Sequence, residues 1–481
     1  MQMADRTIQD QYTMLTKLYT LKIKAMKTQF NDVIFPDNGK RTNLLSHIFL
    51  TLLFVLSLTA CQDHRTPDPV ALSKPTITYS DDVATKWIDL ELRLVKTTAG
   101  FTPPIVARAL GYTGLVLYET VVPGMSTYKS LAGQLNGLPT LPQPDATKEY
   151  NWALAANIAQ YTLIKALYPT TSDANKTTID SLKLSLENSL KAGVAPDVVN
   201  RSNQFGTTMA TAIFDYSKTD GGHEAYKNVF PTDYTTPVGP GLWSPTSAQL
   251  IPMLPYWGSN RSFVAANANV NPPAPYPYST DTNSDSYKDA LEVYTVGKNL
   301  TMEQKEIGLF WADGGGSLTP PGHHINIAVI VLKKEDARLD RSAETFAKVT
   351  MAVSDAFVAC WRAKYVYNVL RPITYIKSQI DPNWEPLIPT PPFPEYTSGH
   401  SSGSGAASQI LTDLFGDNYV FTDNTWAGTF AGRSFSSFFD YAEEAAISRL
   451  YGGIHFRSAN EKGIANGRLI GKNISALSFK K

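Results

Sequence analysis

Three short segments near the C-terminus carry residues whose types and spacing suit a small oxyanion. In 364-KYVYNVLRP-372, Lys364 and Arg371 stand seven apart, close to two helical turns, so both cations can project from one face. In 395-EYTSGHSSGSGAAS-408, His400 follows Ser398 and Gly399 inside a run of small residues. Small residues let a backbone approach a ligand closely, and N–H groups opening a helix make an anion site. In 448-SRLYGGIHF-456, Arg449 and His455 flank a Gly452-Gly453 turn. Each segment alone has a plainer reading: solvated cations, hydrogen-bonded structural histidines, a helix C-cap. As a set they offer forked arginine donors that match paired oxygens, a lysine point charge, and neutral donors from Ser398 and the Gly399 N–H.

The rest of the chain narrows the partners. It has 481 residues, with Lys+Arg and Asp+Glu equal at 43 each, so no nucleic-acid footprint is present. Two cysteines, Cys61 and Cys360, exclude a disulfide scaffold. Lys40-Arg41 precede 44-LLSHIFLTLLFVLSLTAC-61, a basic flank and an apolar run of signal-segment length. Its end, Leu58-Thr59-Ala60-Cys61, resembles the bacterial lipobox, whose cysteine is acylated and becomes the mature N-terminus. The competing reading is a transmembrane anchor, for which the run is slightly short. Residues 1–61 are therefore expected to be a signal segment, with Met26-Lys27 a plausible true start. The expectation is an extracytoplasmic lipoprotein, anchored through Cys61 to an outer membrane or cell surface. No later stretch reads as a membrane span, and Cys360 is left without a partner.

The elements that must position the three segments are helical. Residues 62–79 are polar and proline-bearing, a tether. Helical spacing recurs over 83–96, 105–122, 150–168, 176–193 and 200–217, with Pro103-Pro104 opening the second of these. Between about 218 and 283, Pro, Gly, Tyr, Asn and Trp crowd into a long ordered loop whose aromatics can pack. Helices resume over 286–300, and Thr301 with Gln304 forms a capping box opening the next. A long helical run over 342–370 stops at Arg371-Pro372, and the last helices fall near 401–415 and 440–451. The fold class is all-α: an N-terminal helical half, 80–283, carries the aromatic-rich loop, and a C-terminal half, 284–481, carries the oxyanion site.

The order Lys-x6-Arg-Pro, then Ser-Gly-His, then Ser-Arg-x3-Gly-x-His-Phe resembles the vanadium-dependent haloperoxidases of the type-2 phosphatidic acid phosphatase superfamily. The resemblance extends over most of residues 81–475 and implies helical bundles of the haloperoxidase and acid phosphatase type. It implies that His455 ligates vanadium or attacks phosphorus, and that His400 works opposite as acid and base. Lys364, Arg371, Ser398, Gly399 and Arg449 would bind the oxygens of vanadate or phosphate, with Lys364 also catalytic as a fixed charge. In 310-FWADGGGSLTPPGHH-324, which resembles the family's upstream segment, Asp313 would pair with a vanadate-binding arginine. Alone, Asp313-Gly314 is a turn. Trp361 and Phe393 match a halide-pocket pair, although singly each reads as core. His323 and His324 could tune the pocket or be surface imidazoles. The sequence departs from the pattern at Thr397, where proline is usual, and at Asn460, where an aspartate often supports the last histidine.

Vanadate on histidine has the five-coordinate geometry of phosphoryl transfer, so the ligand set serves two chemistries. The haloperoxidase reading takes hydrogen peroxide and halide to hypohalous acid, with an organic acceptor possible. The alternatives are an acid phosphatase using a phosphohistidine, and a non-catalytic lipoprotein binding through the loop 236–283.

Overall fold

Prolines in a first helical turn sacrifice no intrahelical hydrogen bond. Pro103-Pro104 accordingly open helix α2 (Pro103–Val121) in the computed structural model, which describes residues 73–481. By length and composition Pro103–Gly124 could cross a membrane, with mean hydropathy 1.3, which corrects the reading that no later stretch qualifies. It is instead the core helix, buried along its whole apolar length. Helix α1 (Asp82–Thr97) precedes it; α3 (Trp152–Leu167), α4 (Asp173–Leu190) and α5 (Pro196–Ser217) follow. Asn151 and Ser172 cap α3 and α4 by accepting backbone N–H groups.

The second half begins with α6 (Asp285–Lys298) and α7 (Met302–Phe310), the latter opened by the Thr301/Gln304 capping box. Then come α8 (Thr319–Lys334), the long α9 (Leu339–Tyr367), α10 (Pro372–Gln379) and α11 (Gly399–Phe415). An antiparallel pair, β1 (Phe421–Asp423) and β2 (Arg433–Phe435), leads into α12 (Phe438–Tyr451) and α13 (Arg457–Ser475). One hydrophobic core runs through both halves, from Val83 to Phe479. Helix α9 lies so close along α2 that a Cβ at Gly114 would sit 2.2 Å from Thr350 Oγ1.

Helices α8, α10 and α13 are additions to the sequence reading. In α13 three glycines lower helix propensity and hide the pattern. Gly463, Gly467 and Gly471 recur every four residues and face α11; a Cβ at Gly467 would lie 2.2 Å from the Ser402 carbonyl oxygen. The small residues at 401–408 thus serve helix packing; Gly399 lines the cavity, and the Ser398 hydroxyl oxygen caps α11 by accepting the Ser401 N–H at 3.3 Å. Residues 73–79, read as tether, are held to the body: Thr76 is buried and donates to the Val121 carbonyl at 2.8 Å. Residues 1–61 with Cys61, and the tether up to residue 72, lie outside the described residues.

The aromatic-rich loop straps the end of α9. Trp243 N–H donates to the Asn368 carbonyl (2.6 Å) and Leu370 N–H to that of Gly241 (3.0 Å). Asp355 on α9 accepts from the N–H groups of Phe263 (2.7 Å) and Val264 (3.1 Å) and from Asn267 Nδ2 (2.8 Å).

Glu91 on α1 is fully buried; it accepts from Thr113 and Tyr168 through Oε1, and Oε2 has no partner among the described residues. Burial pushes its carboxyl up to about 7. A carboxyl that holds its proton more tightly folded than unfolded stabilises fully below its unfolded value near 4, and that stabilisation is lost as pH rises through about 7. Urea midpoints should therefore fall between pH 5 and 8, by up to about 1.4 kcal/mol per pH unit from this group. Glu91→Gln should flatten that part of the profile; an unchanged slope removes Glu91 as its source.

Candidate active site

Helix α9 stops because Asn368 takes a left-handed conformation (φ 47°), its N–H closing on the Lys364 carbonyl at 2.8 Å. Lys364 therefore ends α9, whereas Arg371 caps the start of α10. The two cations do not share one helical face, as seven-residue spacing suggested; the turn between the helices brings them together. The Lys364 ammonium gives its protons to the carbonyls of Pro394 (2.9 Å), Glu395 (2.9 Å) and Thr397 (2.6 Å). Arg371 donates to the carbonyls of Phe393 and Ile454, both at 2.8 Å. Its Nη2 is buried and has no partner among the described residues.

Arg449 lies in the last turn of α12, with Nε on Ser448 Oγ at 3.0 Å. After it, Gly453 adopts φ 75° to turn the chain, and a Cβ there would fall 2.9 Å from Pro386 Cβ. The turn presents His455. Ser398 is the N-cap of α11 and Gly399 its first residue, so the positive end of that helix opens at the same place. A cavity of about 330 Å³ is lined by Trp361, Phe393, Gly399, His400, Arg449 and His455, with the Gly314–Gly316 loop at its margin. The rings of Trp361 and Phe393 stand 5.0 Å apart, and Lys364 Nζ lies 5.7 and 5.1 Å from their centroids.

The partners of His455 fix its tautomer. Arg371 Nη1, which can only donate, lies 3.2 Å from Nε2, so Nε2 carries the lone pair. Nδ1–H must then donate to Glu395 Oε1, 2.7 Å away. Burial and the charges of Arg371, Lys364 and Arg449 hold His455 well below the usual histidine range, which keeps it neutral. Burial lowers Lys364 to about 8 and both Arg371 and Arg449 to about 10. Three cations thus share a dry space with a neutral imidazole, an arrangement that calls for an anion. Among the described residues, no cluster of three or more His, Cys, Asp or Glu could hold a bare metal ion.

Glu395 is the functional residue that the sequence reading passed over. It also accepts the Phe456 N–H at 3.0 Å and occupies the supporting place that Asn460 leaves open. Asn460 touches Ser401 instead, at 3.4 Å. The available signal was a lone carboxylate between aromatic residues, three before Ser398.

Two readings need correction. Among the described residues Asp313 forms no ion pair with Arg449; its oxygens are taken by His323 Nδ1 at 3.0 and 3.1 Å, and one lies 3.5 Å from His400 Nε2. His323 and His324 are not surface imidazoles, since both are 0% exposed. Burial and the Arg449 charge, opposed by Asp313, hold His400 down at about 4.

The family described as the VCPO second helical-bundle domain matches residues 344–381 and 378–480. Vanadium chloroperoxidase of Curvularia inaequalis is 26% identical over 418 residues, covering 72% of this chain and 68% of its own. The crystal structure of a bacterial vanadium-dependent iodoperoxidase matches with a TM-score of 0.76 at 35% identity, over 85% of this chain and 99% of that one. A holo-type bacterial vanadium-dependent chloroperoxidase has the same fold, with a TM-score of 0.61 at 17% identity, over 79% of this chain and 92% of its own.

Glu395→Leu leaves the Nδ1–H of His455 and the N–H of Phe456 buried without an acceptor. Unfolding free energy should fall by about 1–3 kcal/mol, whereas Glu395→Gln, which keeps an acceptor, should lose less. Urea denaturation of the two variants checks this, and equal midpoints count against the role given to Glu395.

Proposed function

The chain belongs to the vanadium-dependent haloperoxidase family, and on that premise we propose that it oxidises halide with hydrogen peroxide to hypohalous acid, using vanadate as cofactor. The observation that carries this reading is the convergence of Lys364, Arg371 and Arg449 around a neutral His455 whose Nε2 offers a lone pair. A small metalate fits the residues: it would accept from the unpartnered Nη2 of Arg371 and from the first N–H groups of α11, and take Nε2 as ligand. Bound there, vanadate supplies a Lewis-acidic centre that activates hydrogen peroxide toward halide.

The chain's own residues do the rest. Arg371 would offer the oxyanion its free Nη2, since its Nε and Nη1 are already on carbonyls, Arg449 would add its charge, and Gly399 would give a neutral N–H. Lys364, its protons already on three carbonyls, contributes field rather than a flexible contact. Glu395 keeps the lone pair of His455 on Nε2. His400, neutral at neutral pH, takes a proton from incoming peroxide, and Asp313 beside Nε2 stabilises the imidazolium that forms. Phe357, Trp361 and Phe393 give the halide an apolar wall that limits water.

We also propose that Cys61 is acylated and tethers the enzyme to a membrane outside the cytoplasm, on the strength of the lipobox-like 58-LTAC-61. Metabolic labelling with a radioactive fatty acid should mark the wild type and not Cys61→Ser; equal labelling removes the anchor.

Purified protein should oxidise halide with peroxide only after vanadate is added. Turnover of an aryl phosphate instead, with vanadate as inhibitor, would return it to the phosphatase reading. His455→Ala should lose vanadate binding and halide oxidation together. His400→Ala should keep vanadate within about threefold while kcat falls about 100-fold, the usual scale of an acid–base group. Vanadate retention by equilibrium dialysis and steady-state rates separate the two; activity retained in His455→Ala would refute the assignment.

A further inference from the structure

A second buried charge cluster lies against His400, and the reaction above uses only Asp313 of it. His323, in the first turns of α8, is bonded at both ring nitrogens to carboxylates. Nδ1 lies 3.1 and 3.0 Å from the two oxygens of Asp313, and Nε2 lies 2.8 Å from Asp423 Oδ2. All three side chains are buried. The other oxygen of Asp423 accepts from the N–H of Thr425 (2.9 Å) and from its hydroxyl (2.6 Å), which fixes the carboxylate at the end of β1. Trp311 stacks on the His323 ring, centroids 4.4 Å apart and planes 23° from parallel.

Ionised carboxylates only accept, so a ring bonded to one at each nitrogen needs both N–H protons. His323 is then an imidazolium. Burial opposes that charge, but Asp313 and Asp423 push it up to about 10. Asp313 has little else to hold it. It sits in the left-handed region (φ 45°), and it runs into Gly314–Gly316, where an added Cβ would meet nothing within 4 Å. The loop does not pack the carboxylate into place; His323 does. With two of its contacts made there, Asp313 faces His400 Nε2 at 3.5 Å, a charge contact rather than a hydrogen bond, and Nε2 has no other partner among the described residues.

We propose that His323 is a positioning residue for the reaction: clamped between Asp313 and Asp423, it aims the Asp313 carboxylate at Nε2 of His400 and so selects the tautomer and ring orientation of the acid–base histidine. The inference rests on the haloperoxidase reading for its kinetic consequence, and on geometry alone for its effect on the ring. The role is indirect, since His323 does not line the cavity.

The test compares wild type, His323→Gln, Asp313→Asn and their double variant. Nitrogen-15 NMR of the histidine rings, recorded without vanadate, should show His323 protonated at both nitrogens and His400 as a single Nε2–H tautomer in wild type. In His323→Gln the His400 signal should become a tautomer mixture. With vanadate, kcat should fall about tenfold in each single variant, and the double variant should be no slower than Asp313→Asn alone, because both act through one carboxylate. The dissociation constant for vanadate should stay within about threefold. An unchanged His400 tautomer in His323→Gln, or losses that multiply in the double variant, would overturn the proposal. If His323→Gln does not fold, His323→Asn, too short to bridge Asp313 and Asp423, carries the same two readouts and the same two failing outcomes. Absence of halide oxidation in wild type would sink the functional reading while the NMR result still decides the geometry.

Discussion

Lys364, Arg371 and Arg449 are held together out of water, and this constraint shapes everything near them. Bringing like charges into a dry space is costly, on the order of several kcal/mol per ion before compensation. The chain offsets part of that with carbonyls: three on Lys364 and two on Arg371. Carbonyl dipoles lower the cost without cancelling charge, so the excess remains available to an incoming anion. Burial first, and the same excess after it, keep a proton off His455 and leave the imidazole free to act as a ligand instead of a fourth cation. Cation cluster and neutral histidine are one electrostatic fact.

Packing makes that fact permanent. The segment 393–398 is pinned from three sides: by Lys364 and Arg371 through its carbonyls, by Val369 through Glu395 N–H, and by Ala459 through Ser398 N–H. The glycine face of α13 lets α11 settle against it, so the helix start that carries Gly399 cannot drift from the turn that carries His455. On the far side of α9, the aromatic loop closes over Asp355 and Asn368. Its tryptophans Trp243 and Trp257 point inward, while Val238, Leu250, Tyr256 and Tyr276 stay exposed on its surface. The Asp313–His323–Asp423 cluster reaches the cavity through Asp313, which lines it beside His400, and so joins the β1 end to the site.

What the sequence disclosed and what it hid divide along a physical line. Lys364, Arg371, Ser398, Gly399, Arg449 and His455 were legible because their types occur at fixed spacing within short segments, and the Thr301/Gln304 cap because it is a local hydrogen-bond exchange. Glu395 was not, and His323 was read only as a pocket-tuning or surface imidazole. A carboxylate and an imidazole declare a role only through partners 60 and 100 residues away, which no local pattern carries. Asp313 was expected to pair with an arginine, whereas its oxygens go to His323 on a helix the sequence did not announce. Helix α13 was missed since its glycines argue against a helix until the neighbouring helix is seen to need them.

Every cradle residue from Lys364 to His455 falls in the stretch 344–480 that the bundle-domain family describes, yet α9 is buried lengthwise against α2, more than two hundred residues earlier in the chain. The site therefore has no seam at which it could be cut. A gene fragment carrying only the later portion would leave the long apolar flank of α9 bare, so recombination that shuffles this catalytic piece between hosts has nothing separable to move.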